Sequence, residues 1–285
     1  MNDPVPGPAP AWLPTMAAAA LALFACGPPC PTIRHDDAER ALRYHRSMRA
    51  PALSVRAEAR VEQWGREGRI RGTVMMFLQR PDRVRFDAMT QFGPAAILTS
   101  DGREFALTDL RENRYLTGPT CPENIARLLG IPLSGEDVAR ILLGDTPRIE
   151  ATEREISCRR GEYRISLRAV DGTRQEIVLA TREADREQPL LGQRLRLRRS
   201  EVFGPSGERQ WRATYDDYRV IEDPRSEERP RLGVAMPFVV RFEDFRQRAD
   251  TTVRFKTIDL NVDVPAEAFR QEPRPGIETE MVLCE

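Results

Sequence analysis

Arg69-Ile70-Arg71-Gly72-Thr73-Val74-Met75-Met76-Phe77-Leu78 opens with alternating polar and apolar residues, then turns apolar on both faces from Met75 to Leu78. Successive side chains of a strand point to opposite faces, so the second half predicts a strand covered on both sides. Pro81-Asp82 supplies a turn, and Arg83-Val84-Arg85-Phe86-Asp87-Ala88-Met89 follows with Val84, Phe86 and Ala88 on one face and charges on the other. A third strand runs from Ala95 to Thr99. Asp101-Gly102 then gives a strong hairpin signal, and Phe105 and Leu107 share one face of the returning strand. The stretch predicts an antiparallel meander.

Two short helices interrupt it. In Cys121 to Gly130, Pro122 suits a first helical position, Gly130 a position just past the end, and Ile125, Leu128 and Leu129 lie on one face. The second helix starts at Ser134 with Asp137 three residues on, and Val138, Ile141 and Leu142 form its stripe before Gly144. Each helix has one apolar face and needs a surface to cover. The meander offers it.

Upstream, Asp36 or Asp37 caps a helix to about Met48, and Val55, Ala57, Ala59 and Val61 alternate with charges in a half-buried first strand. Downstream, seven more strand candidates begin at Arg148, Tyr163, Glu176, Arg194, Gln210, Val234 and Thr252. The chain of 285 residues is long enough for an ordinary core. The expected architecture is mainly β, a single domain over 36–285 with an antiparallel incomplete barrel of about eleven strands closed by short helices.

The 44 basic residues balance 44 acidic ones, which gives no global field toward nucleic acid. All the basic residues except Lys256 are arginine, spread along the chain among Asp and Glu, and this reads as a compositional bias. No glycine-rich phosphate loop, Gly-x-Ser-x-Gly elbow, His-Glu-x-x-His or paired-cysteine zinc spacing occurs, so neither an enzyme nor a metal or other cofactor is expected. His35 and His45 have no ligand set around them and read as surface or helix-face histidines. Asp216-Asp217 and Glu227-Glu228 read as solvated loop charges.

At the N-terminus an alanine-rich apolar run from Trp12 ends in Leu23-Phe24-Ala25-Cys26, too short for the ~20 residues of a spanning helix. A small residue before a cysteine at the end of such a run resembles the lipobox of bacterial lipoproteins. That resemblance makes 1–26 a signal peptide, Cys26 the lipidated residue and 27–35 a tether rich in proline. No Lys or Arg precedes Cys26. Cys30, Cys121, Cys158 and Cys284 then remain, and in an exported protein they permit two disulfides in three connectivities. A Cys30 to Cys284 pairing, which would tie the termini together, is one possibility.

The run of Pro81-Asp82-Arg83-Val84-Arg85-Phe86, Gln91-Phe92-Gly93-Pro94, Leu129-Gly130-Ile131-Pro132-Leu133 and Ile141-Leu142-Leu143-Gly144 resembles the outer-membrane lipoprotein localisation family, LolA/LolB-like, and within it the LolB-type receptor. Ile258 to Pro265 with Phe269 resembles the closing strand of carrier-type members. The resemblance implies a monomeric, lipid-anchored protein on the periplasmic side of the outer membrane. It would bind lipoprotein acyl chains in an apolar cavity, receive them from a periplasmic carrier and help insert lipoproteins into the membrane. The cavity would be lined by Met76, Leu78, Phe86, Leu98 and Phe105, with Leu128, Leu129, Ile141 and Leu142 as the lid. Phe92 falls where receptor members carry an exposed apolar residue that enters the membrane. Two other readings stay open: a lipid-anchored sensor of the same fold that passes no cargo, and a hydrolase in which Asp216, Asp217 or His45 converge on one cavity.

Overall fold

The computed structural model describes residues 28–65, 68–228 and 233–284. Its first helix, α1 (Ala38–Ser47), starts where the Asp37 carboxylate accepts from the Arg40 amide at 2.6 Å and buries Ala38, Ala41, Leu42 and His45. A first meander follows: β1 (Ser54–Gly65), β2 (Gly68–Gln79), β3 (Arg83–Thr90), β4 (Gly93–Ser100), β5 (Glu104–Asp109) and β6 (Arg114–Pro119). Helices α2 (Pro122–Leu129) and α3 (Gly135–Leu142) lead to a second meander. It comprises β7 (Glu153–Arg159), β8 (Glu162–Arg168), β9 (Arg174–Ala180), β10 (Arg196–Phe203), β11 (Arg209–Glu222), β12 (Gly233–Asp244) and β13 (Ala249–Leu260), before a last short strand β14 (Glu278–Met281).

The two meanders join where β13 returns to lie antiparallel along β1, from Val55 opposite Leu260 to Trp64 opposite Asp250. One sheet of 14 strands results, in the order β14-β6-β5-β4-β3-β2-β1-β13-β12-β11-β10-β9-β8-β7. Three expectations need correction. The strands number 14, not about eleven. The sheet is mixed, because β14 runs parallel to β6. It is also unclosed, with β7 and β14 at its edges. The free edge β7 carries Glu153, Arg154, Glu155 and Arg159, charges of the kind that oppose further strand addition.

Alternation places Val55, Ala57, Ala59 and Val61 of β1, Val74, Met76 and Leu78 of β2, and Val84 and Phe86 of β3 in one continuous core with α1, α2 and α3. Met75 and Phe77 face the other way and are only half-buried, so β2 is less covered on its outer face than its composition suggests. The outer face of β4 to β6 is covered by the segment after β13, where Phe269 is buried. Beside it, the Gln271 side chain donates to the carbonyls of Ile97 (3.0 Å) and Ala106 (3.2 Å) and accepts from the Thr108 hydroxyl (2.7 Å). The Tyr115 hydroxyl donates to the Gln271 carbonyl at 2.8 Å.

Disulfides join Cys30 to Cys158 and Cys121 to Cys284. The Cys30 to Cys284 pairing is therefore wrong, for a topological reason: Cys30 is fixed to the β7 edge, whereas Cys284 follows β14 at the opposite edge. Gln271→Leu removes the side-chain hydrogen bonds to Ile97, Thr99, Ala106 and Thr108 and is expected to cost about 1–3 kcal/mol in urea unfolding. An unchanged midpoint would show that the segment over β4 to β6 adds nothing to stability.

Candidate lipid-binding site

Helices α2 and α3 have only eight residues each, too few to stand alone in water, so each depends on the face it buries. Pro122 sets the first turn of α2, and Gly130 ends it in the left-handed region at φ 64°, packed against the Gln63 side chain where a Cβ would collide. The Thr251 hydroxyl holds the same end, donating to the Leu129 carbonyl at 3.0 Å. In α3 the Ser134 hydroxyl accepts from the Asp137 amide at 3.1 Å, and the helix ends at Gly144 against Pro237 and Tyr218. Ile125, Leu129, Val138, Ile141 and Leu142 face the sheet and are buried, while Glu123 and Arg127 face solvent.

All nine residues expected to line the cavity meet on this face. Met76, Leu78, Phe86, Leu98, Phe105, Leu129, Ile141 and Leu142 are buried and Leu128 is half-buried against them. They form packed core, with the helix side chains filling the space above the sheet. A cleft of about 460 Å³ opens at the margin of this packing, between Ala126 and Gly130 of α2, the tip of β1 and β2, and Gln247 and Ala249.

The antiparallel register puts the tips of β1–β2, β3–β4 and β5–β6 at one end of the sheet. At the β3–β4 tip Phe92 is 91% exposed. The Thr90 hydroxyl fixes this turn, donating to the Gly93 carbonyl (2.8 Å) and accepting from the Phe92 amide (3.2 Å). Phe92 therefore does not fold back onto the strands. The β1–β2 ribbon extends past this tip, since β2 pairs with β3 only from Thr73 onward, and it carries exposed Trp64 and Ile70. The Arg69 guanidinium lies 4.9 Å from the Trp64 ring centre. Sequence reading missed these two, because both sit within regular alternation; a register past the neighbouring tip is visible only once strands are paired.

The remaining sequence candidates scatter. Cys26 lies outside the described residues. Asp216 and Asp217 are solvated on β11 and paired with Arg198 and Arg219, whereas His45 is buried beneath α1, so they share no cavity. His45 stands 3.7 Å from Asp145, too far for a hydrogen bond. Burial first, then Arg49, Arg148 and Arg46, holds its pKa well below the usual 6.5.

Neither a family model nor a curated protein matches the sequence. Solved structures match in fold. A LolA superfamily protein of Nitrosomonas europaea superposes with a TM-score of 0.51 at 11% identity, covering 84% of this chain and 99% of that one. The chain has a LolA-like fold. A DUF1329 family protein of Desulfovibrio piger is similar to the same degree, with a TM-score of 0.52, 10% identity and coverage of 83% and 98%. At such identities the LolA likeness is one of architecture.

The buried, neutral His45 makes stability depend on pH. The unfolded chain takes up this proton first, so the His45 contribution is complete above about 6.5 and is lost as pH falls below it. His45→Leu should flatten the decline in urea midpoint between about pH 7 and about pH 5. An identical decline in both proteins would assign it to other groups.

Proposed function

We propose that this protein is anchored to the outer membrane by lipid on Cys26, faces the periplasm, takes lipoprotein acyl chains between α2, α3 and the sheet, and helps insert them into the membrane. The observation that carries the reading is an extensive apolar sheet face covered by two helices, each too short to be stable by itself. Acyl chains would take the place of the lid side chains, so that burial lost on opening is replaced by burial of cargo. The lid need shift only as far as the cargo's preference for the open state drives it. The cleft beside Gly130 is where a chain would start to enter.

Phe92 is the membrane-entering residue in this reading, with Trp64 and Ile70 beside it at the same end of the sheet. A tryptophan and an arginine stacked at a rim suit the interface between headgroups and acyl chains. Burying a phenylalanine side chain contributes on the order of 2 kcal/mol, enough to orient an anchored protein but not to hold it there. Two lipid chains on Cys26 would do the holding, at about 0.8 kcal/mol per buried methylene.

Phe92→Glu should leave stability within about 0.5 kcal/mol, because the side chain has no packing to lose, and should preserve uptake of a diacylated lipopeptide. Transfer of that lipopeptide to vesicles should fail. A large loss of thermal stability or uptake would contradict this role. Cys26→Ala should move the folded protein from the membrane to the soluble periplasmic fraction, and continued membrane retention would contradict the anchor.

A further inference from the structure

The end of the sheet opposite Phe92 is built from the C-termini of α1 and α3, the turn between β2 and β3, and the start of β10. These elements bring together Arg46 of α1, Arg49 just past its Met48 cap, Arg80 from the turn, Arg140 of α3, Asp145 just beyond it, and Arg196 from β10. Arg49 is 2% exposed and among the largest fully buried side chains of the protein. Its Nη1 donates to the His45 carbonyl at 3.1 Å. The Tyr218 hydroxyl of β11 lies against this guanidinium, Nη2 of Arg80 donates to the Arg49 carbonyl at 3.4 Å and the Arg196 guanidinium lies 5.4 Å from the Tyr218 ring centre. Nε and Nη2 of Arg49, Nε of Arg80 and Nε of Arg196 still lack a hydrogen-bond partner among the described residues.

Arg196 feels the charge of Asp185, but that carboxylate is paired with Arg182 at 2.6 Å. Arg140 is engaged by Glu136, and Arg148 lies 3.4 Å from Glu39. Arg46, Arg49 and Arg80 are left with Asp145. That carboxylate is 3.4 Å from Nε of Arg46 and 3.8 Å from Nη1 of Arg140, and its Oδ2 has no hydrogen-bond partner. Neither Arg49 nor Arg80 has a carboxylate within 4.0 Å among the described residues. The carbonyl ends of α1 and α3 add only partial negative charge. His45 contributes no cation, since burial keeps it neutral, but it supplies no anion either.

A guanidinium cannot shed its proton as a buried lysine can, so an arginine out of water needs an anion or a full set of acceptors. We propose that Arg49 and Arg80, with Arg46 at the mouth and Arg196 behind, form a binding site for a phosphate-class oxyanion. Several oxygens on one centre match several guanidinium donors better than the two of a carboxylate. Arg46 has a side chain 37% exposed and marks the way in from solvent. The neighbouring positions Leu42 of α1, Leu143 after α3 and Leu197 of β10 belong to the buried apolar core. The oxyanion is either free phosphate or the headgroup of a lipid whose chains lie on the core. The lipid form rests on the acyl-binding reading above, whereas the anion site does not.

The test uses the full chain and three probes: inorganic phosphate, dihexanoyl phosphatidic acid and the neutral dihexanoylglycerol. Titration calorimetry on the native protein, Arg49→Gln and Arg80→Gln should show phosphate binding that each substitution weakens about tenfold or more. The Arg80 variant keeps the test open if the Arg49 variant does not fold, because Arg80 is only half-buried. Phosphatidic acid binding much more tightly than both phosphate and dihexanoylglycerol supports a lipid headgroup. Phosphate and phosphatidic acid binding alike, with the same arginine dependence and no binding of dihexanoylglycerol, supports a free-phosphate site and overturns the lipid-headgroup form. Dihexanoylglycerol binding as tightly as phosphatidic acid, or phosphate binding that neither substitution changes, overturns the anion site while leaving acyl binding intact. Absence of any phosphate binding overturns it as well.

Discussion

The pairing of β13 with β1 is the interaction on which the rest of this molecule depends. Each meander is local and could form by hairpin extension, but only this long-range pair merges them into one sheet with one continuous apolar face. An open sheet of that size cannot cover its own inner face as a closed barrel does. Helices α1, α2 and α3 supply the missing layer, and the outer face of β4 to β6 receives the C-terminal segment instead. The apolar face therefore comes with a cover that is not part of the sheet. Under the proposed function, such a cover would be exchanged for ligand without unpairing strands.

The two ends of the sheet differ in the chemistry they present. At the hairpin end, Phe92 is held out on the β3–β4 turn, and Trp64 and Ile70 are exposed on the strands of the projecting β1–β2 ribbon. At the other end, arginines are drawn inward around Asp145 beneath the ends of α1 and α3. The molecule thus has an apolar rim, an apolar interior and a cationic base. Two disulfides act on this frame. Cys121–Cys284 fixes the start of α2 to the chain after β14, so α2 is tethered at its N-terminus and held at its other end by packing and the Thr251 hydrogen bond. Cys30–Cys158 ties the segment before α1 to β7.

Much of this was legible in local pattern. Alternation located β1 to β5 because one face of each is buried in a continuous core, and Ser134 and Gly130 marked helix ends because orphan amides and left-handed turns demand those residues. Phe92 was legible as exposed, because a two-residue turn between alternating strands leaves its side chain no face to occupy. Other features depend on contacts between distant parts of the chain. Strand β14 is exposed throughout and so has no periodicity; its existence depends on lying beside β6. The cysteine partners follow from which edge each one reaches. Arginines spread evenly along the sequence give no sign that Arg46, Arg49, Arg80 and Arg196 converge, and burial of Arg49 runs against the usual habit of its residue type.

The central claim is that α2 and α3 are a displaceable cover over an apolar binding face, and native-state hydrogen exchange tests it most directly. Without ligand, amides of α2 and α3 should exchange through local opening at a lower free energy than those of β1, β2 and β13. Adding a diacylated lipopeptide should change exchange in α2 and α3 while the central strands keep their protection. Exchange of both helices only through global unfolding, unaltered by the lipopeptide, would contradict the account.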